Sequence, residues 1–276
     1  MTKFSGRTGR FSREGCVYAR IYGRLRISTV GRVLREFESI DSTNRVARDL
    51  AVAGEAEGTV VVSVEQTAGR GRLGREWISP AGGGLYLSVI LRPEAGEIAA
   101  RERISIAAGV SVVQVLRRLY GLDARLKWPN DVLVDGKKVC GILIESCATN
   151  EYVVGIGINT NWEKVPPQAD EFRRRPTALS LELGCKVEHG ELLGRILESL
   201  DLVYAALRRG LFRAILGRAR RHLFGVGCEV AFEDGFGATR TGTLEGMDDE
   251  GRALVRDGYD RLIPITAGEV RIADRT

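Results

Sequence analysis

Three arginines within six positions, separated by glycines, are the first feature of this sequence with chemical consequence: Gly69-Arg70-Gly71-Arg72-Leu73-Gly74-Arg75. A guanidinium pairs bidentately with carboxylate or phosphate. Glycine lets the backbone bend closely around a ligand. The loop runs on into Trp77, an indole able to stack on a purine or cover an apolar ring. The glycines also spell G-x-G-x-x-G, but a dinucleotide site needs a helix directly after that pattern. Here Pro80 and the glycines at 82–84 follow, which do not make a helix interior. That excludes a Rossmann site and leaves two readings, an anion-binding loop or a solvated basic hairpin tip.

A second unit is Lys127-Trp128-Pro129-Asn130-Asp131. Proline forces Trp128 out of helical geometry. Asn130 and Asp131 then fall at a strand junction, free to bind a ligand or only to close an Asx turn. Lys137 and Lys138 start the next strand, and successive strand residues face opposite ways. One lysine is expected in solvent and the other in a site.

The elements that must position these groups read as α+β, a mixed and mainly antiparallel sheet with packed helices. Asp41-Ser42-Thr43-Asn44 offers N-caps to a helix through Val46–Ala51 that Gly54 closes. Thr59–Val64 and Leu85–Leu91 read as strands, and Ile98–Leu119 as a long helix ending at Gly121. Arg125–Trp128, Val132–Val134, Val139–Glu145 and Tyr152–Ile158 are further strands, with Asp135-Gly136 a hairpin turn. Helices follow at Leu192–Leu207 and Leu211–His222. From Gly225 five short strands suggest a small barrel. The expected division is a basic flexible arm over 1–34, a larger domain over 35–224 and a barrel over 225–276. The long loop over 66–84 is expected to be mobile without ligand.

Charge and composition narrow the class. The chain has 276 residues and a net charge of +5, but residues 1–35 alone carry nine Lys/Arg and one acid. The rest is slightly acidic, which weakens a general nucleic-acid reading. The arm's composition leaves open a disordered terminus, a transit-like segment or a polyanion-binding tail. Five scattered cysteines without a C-x-x-C pair, and only two histidines, argue against a disulfide framework or a structural zinc site. No apolar run suits a bilayer, and a cytoplasmic location is expected.

In order and spacing, five segments resemble the biotin–protein ligase family. They are Asp41–Asn44, Glu65–Trp77, Lys127–Asp131, Lys138–Glu145 and Gly155–Asn159. The resemblance runs from about Phe37 to Asn161. It implies the biotin ligase catalytic fold, related to class II aminoacyl-tRNA synthetases, with an SH3-like C-terminal barrel. It further implies that Ser42, Thr43, Asn44, Gln66, Arg70, Gly71, Arg72, Lys138, Gly141 and Gly155 bind biotin. Arg70, Arg72, Arg75, Trp77, Asn130, Lys138 and Asn159 would bind ATP and the adenylate, and Gly157 would allow close approach. Lys138, Arg70 and Arg72 would carry catalysis.

The implied reaction joins biotin to ATP as biotinyl-5′-AMP, then passes biotin to a lysine of a biotin carboxyl carrier protein. Mg²⁺ is expected with the pyrophosphate, Asp131 being the one candidate ligand. Residues 1–34 are too few and too aperiodic for the winged helix–turn–helix of some relatives. Ligase activity without specific DNA binding is therefore expected, with no membrane partner and a homodimer left open. The rivals are a lipoate–protein ligase of the same fold and, in another class, a nucleic-acid binder using the basic arm.

Overall fold

The computed structural model of the protein describes residues 27–94, 101–148, 150–167, 175–233, 238–266 and 268–272, with only the backbone of 148. Most of the basic arm, residues 1–26, lies outside the described residues.

Strands β1 (Leu34–Ile40), β2 (Val60–Gln66), β3 (Gly84–Leu91), β4 (Ala124–Lys127), β5 (Asp131–Val134), β6 (Lys137–Ala148) and β7 (Glu151–Asn159) form one sheet in the order β1-β2-β3-β7-β6-β5-β4. Only β1 and β2 run parallel. Their crossover is helix α1 (Thr43–Val52). The sequence reading missed β1 for a physical reason. Its apolar residues Leu34, Phe37 and Ile40 recur every third position, and an edge strand needs no buried alternation.

The alternation of strand side chains separates two faces. Leu85, Leu87, Val89 and Leu91 of β3, with Ile142 and Ile144 of β6 and Val154, Ile156 and Ile158 of β7, join the main core. There they pack under α2 (Arg101–Tyr120), α4 (His189–Arg208) and α5 (Phe212–Arg221). Ile90 and Val153 face the other way, into a smaller cluster with Ala47 and Ala51 of α1. Gly141, Leu143, Gly155 and Gly157 share that second face by register. The Asp135-Gly136 turn has both φ values positive, as a tight two-residue hairpin requires.

After α5 the chain runs beside β4, with Leu126 bonded to His222 and Phe224, and covers that sheet edge. A short helix α3 (Leu179–Leu183) went unread, being only five residues long. Strands β8 (Glu229–Glu233), β9 (Thr239–Met247), β10 (Ala253–Arg256), β11 (Leu262–Ile265) and β12 (Arg271–Ile272) make a second sheet, all antiparallel, in the order β11-β10-β9-β8-β12. No helix among the described residues is long and apolar enough to cross a membrane.

The boundary of the arm moves. Residues 27–33, expected as part of a flexible tail, are docked on α4. Buried Asp201 accepts from the Ser28 amide (2.7 Å), the Ser28 hydroxyl (2.9 Å) and the Thr29 and Val30 amides (both 2.8 Å). Charge-assisted bonds to backbone amides are the strong kind, and removing their acceptor orphans buried donors. Asp201→Ala is therefore expected to cost about 3 kcal/mol in urea unfolding. A loss below about 0.5 kcal/mol, the scale of an unremarkable surface change, would contradict this anchoring role.

Candidate active site

The second face of the sheet floors a cavity of about 860 Å³. Every site residue expected from the sequence lines it: Ser42, Thr43, Asn44, Gln66, Arg70, Gly71, Arg72, Arg75, Trp77, Asn130, Asp131, Lys138, Gly141, Gly155, Gly157 and Asn159. The floor is open because it is glycine. Gly141 and Gly157 stand opposite each other on β6 and β7. A Cβ at Gly141 would come within 2.8 Å of Trp77 Cζ3, and one at Gly157 within 2.5 Å of Trp77 Nε1. The indole is thus laid on a bare backbone, with the Lys138 ammonium 5.2 Å from its ring centroid. Trp77 Nε1 is buried without a hydrogen-bond partner.

The arginine loop has a definite shape. Gly71 donates to the Arg75 carbonyl (2.7 Å), Trp77 donates to the Gly69 carbonyl (3.0 Å), and Arg70 bridges Glu76. Between them Arg72–Gly74 is a single 3₁₀ turn, with Leu73 at φ +58° and Gly74 at φ +73°. No α-helix follows the glycines, in keeping with the rejected dinucleotide site. Arg72 Nη1 donates to Asn130 Oδ1 (2.9 Å), and Asn130 Nδ2 donates to the Ile142 carbonyl (2.9 Å). Arg75 pairs with Glu269 at 2.6 Å, tying the loop to the segment before β12. Burial would raise the Glu269 carboxyl, but Arg75 beside it more than reverses that and holds it low.

Opposite the loop, the cations gather around one half-buried acid. Lys138 Nζ lies 2.7 Å from Asp131 Oδ1 and Lys127 Nζ 3.6 Å from Oδ2. Burial would raise the Asp131 carboxyl, yet Lys138 and Lys127 overcome it and keep the group below its ordinary range. Lys137, as the alternation requires, turns away to Glu182 at 2.5 Å. Asn159 is also engaged, its Nδ2 donating to the Thr177 carbonyl (2.9 Å).

At the far end is a polar chain. Gln66 Oε1 accepts from the Thr43 amide (2.8 Å) and hydroxyl (3.0 Å), and Gln66 Nε2 donates to Ser79 Oγ (2.9 Å). Ser88 Oγ lies 2.8 Å from Thr43 Oγ1 and 2.6 Å from Asn44 Oδ1, while Asn44 Nδ2 donates to Glu145 (2.7 Å). Ser42 stands at the N-cap position, but its side chain caps nothing. Gln66 satisfies the first helical amide instead, leaving the Ser42 hydroxyl to the cavity.

Residues 36–161 match the Biotin/lipoate A/B protein ligase family. The bifunctional ligase/repressor BirA of Bacillus subtilis is 34% identical over 235 residues, 84% of this chain and 71% of that protein. The biotin–[acetyl-CoA-carboxylase] ligase of Paracoccus denitrificans is 36% identical over 240 residues, 83% of this chain and 96% of that one. The chain belongs to the biotin–protein ligase family. A solved biotin protein ligase from Aquifex aeolicus, in complex with biotin and ATP, superposes with a TM-score of 0.77 and 31% identity over 87% of this chain and 97% of that one.

Against this family's chemistry, one expectation needs correcting. Asp131 is a poor metal ligand here, because two ammonium groups already occupy its oxygens. No group of three or more His, Cys, Asp or Glu suited to a metal occurs among the described residues. The residues present do not fit a resident Mg²⁺. Several cavity residues were not foreseen as ligase site residues. Lys127 was read in its motif without a role. Tyr86 lies in the strand read over Leu85–Leu91, outside the five segments, and Trp162 three residues past the last of them. Glu269, Arg271 and Ile272 reach the cavity only through the fold-back of the C-terminal sheet.

The Asp131 cluster gives a test with a sign. Asp131→Asn leaves two lysines facing each other in a buried place, at an expected cost of about 3 kcal/mol at neutral pH. Because the folded-state carboxyl is lowered, that stabilisation is present above the ordinary value of 3.8 and is lost as pH falls through the lower folded value. Urea unfolding of both proteins should show the gap closing in that acid range. A gap that stays constant into strong acid would contradict the assignment.

Proposed function

We propose that this cavity makes biotinyl-5′-AMP from biotin and ATP and transfers biotin to a lysine of a carrier protein. The observation that carries the reading is spatial. Lys138, Lys127 and Arg72 converge on one cavity whose opposite end holds the Thr43–Gln66 polar chain. Its volume, about 860 Å³, lies in the range of small-molecule sites. The acceptor in the Paracoccus denitrificans relative's name, acetyl-CoA carboxylase, is the acceptor we propose here.

In the first step a carboxylate oxygen of biotin attacks the α-phosphorus of ATP and pyrophosphate leaves. Two anions must approach each other, and Lys138 with Arg70 and Arg72 offsets their repulsion and the charge that develops between them. Ser42, Thr43, Asn44 and Gln66 surround the ureido ring, with Gly71, Gly141 and Gly155 giving the backbone access. Trp77, Asn130, Asn159 and Arg75 take the nucleotide side. The mixed anhydride is labile in water, and the arginine loop covers it. In the second step the neutral amine of the acceptor lysine attacks the acyl carbon and AMP departs.

No protein nucleophile enters this scheme. Burial pushes the Cys140 thiol well above its ordinary range, which suits a packing role. We assign 225–276 to an SH3-like barrel, supported by the five short antiparallel strands described there, and 35–224 to the catalytic domain. Unpaired Cys140, Cys147, Cys185 and Cys228 support a cytoplasmic location.

ATP–pyrophosphate exchange with biotin and with lipoate decides the substrate: exchange is expected with biotin, and exchange with lipoate alone would overturn the reading. Lys138→Ala is expected to slow single-turnover adenylation about a hundredfold or more while changing biotin affinity little. An unchanged rate would remove Lys138 from the chemistry. Arg72→Gly breaks the tie to Asn130 and should release biotinyl-5′-AMP into solution. Free adenylate no higher than from the parent would contradict that.

A further inference from the structure

We propose that Glu145, which does not touch the reacting atoms, sets the hydrogen-bond polarity of the ureido end of the cavity and is a positioning residue for the choice of acid. The inference rests on the reading that this cavity takes biotin, and it follows from counting protons along the buried chain. Glu145 Oε2 accepts from Asn44 Nδ2 at 2.7 Å, and the Leu143 carbonyl lies on the same side at 3.4 Å. Two acceptors fix the carboxamide with its NH₂ toward Glu145 and its oxygen toward Ser88.

Buried Asn44 Oδ1 then needs a donor, and the single proton of Ser88 lies 2.6 Å away. Spent there, that proton is not available to Thr43 Oγ1 at 2.8 Å. At the other end Gln66 is fixed as well. A backbone N–H can only donate, so the Thr43 amide holds Gln66 Oε1 toward it. The Thr43 hydroxyl therefore stands between Gln66 Oε1 and Ser88 Oγ, both acceptors toward it, with one proton to give and none received. Its lone pairs remain for a donor from the cavity, and a buried oxygen left without one is costly. A ureido N–H supplies that donor, and a dithiolane ring does not. Gly155 belongs to the same device: a Cβ there would lie 2.1 Å from Asn44 Oδ1, so only glycine leaves the carboxamide its place.

The wiring can be reversed. Glu145→Lys presents a donor, so the Asn44 carboxamide turns over and its NH₂ feeds Ser88. The Ser88 proton passes to Thr43, whose oxygen then has a donor without the ligand. Glu145→Gln still offers an oxygen and preserves the direction.

The test is ATP–pyrophosphate exchange with biotin and with the two cyclic carbamate analogues in which oxygen replaces one or the other ureido N–H. The parent is expected to prefer biotin over one carbamate by about tenfold in kcat/KM. Glu145→Gln should keep most of that preference. Glu145→Lys should reduce it to about twofold or less, raising KM for biotin while leaving KM for ATP and the thermal midpoint near the parent's. Unchanged discrimination in Glu145→Lys overturns the proposal. So does a uniform loss of kcat with a lowered midpoint, the mark of a merely structural carboxylate. If Glu145→Lys does not fold, Glu145→Arg decides by the same criterion, since it too presents donors in place of the acceptor. A parent with no biotin-dependent exchange refutes the functional reading and this proposal together. Biotin exchange with unaltered discrimination refutes the positioning role alone.

Discussion

The site depends on one half-buried carboxylate holding cations that would otherwise repel each other. Asp131 keeps Lys138 at 2.7 Å and Lys127 at 3.6 Å, and the field of those lysines keeps Asp131 charged despite its burial. A single acid set against two ammonium groups leaves an excess of positive charge facing the cavity. Arg72 adds to it through Asn130, the residue next to Asp131 in the chain. Charge collected in a place of low dielectric acts more strongly than the same charge on a surface. That is what a reaction between two anions requires.

The sheet makes the cluster reachable. One face buries branched aliphatic side chains under three helices, and the other presents Gly141, Gly155 and Gly157. Trp77 lies on the first and last of these, and Asn44 occupies the space over the middle one. The loop that carries Trp77 is held at two points, Arg72 on Asn130 and Arg75 on Glu269. The second contact joins the C-terminal sheet to the cavity. That unit therefore contributes to the site itself besides closing the end of the chain.

Much of this was legible in the residues. The strand over Leu85–Leu91, the Asp135-Gly136 turn and the long helix ending at Gly121 follow from local physical preferences, and each lies within a few residues of its expected place. The opposed directions of Lys137 and Lys138 followed from strand geometry alone. The residues that line the cavity were legible mainly because several long segments occur together in one order. What stayed hidden depends on tertiary contact. Strand β1 pairs at an edge and needs no apolar alternation. Residues 27–33 look like loose basic chain until Asp201, more than 160 positions later, gathers their amides. Glu269 has no local signal, because its meaning comes from the Arg75 it meets. Asp131 looked like a candidate metal ligand since the sequence does not show that two lysines reach it first.

The central claim is that this cavity recognises the phosphate joining the two halves of its ligand. The direct measurement is the affinity of the protein for biotinyl-5′-AMP compared with 5′-O-biotinyl-adenosine, the same molecule without the phosphate. Calorimetry with the parent is expected to show roughly a hundredfold preference for the phosphate-bearing ligand. The preference should fall to a few-fold in Lys138→Met. Equal affinity of the parent for both ligands would contradict the account.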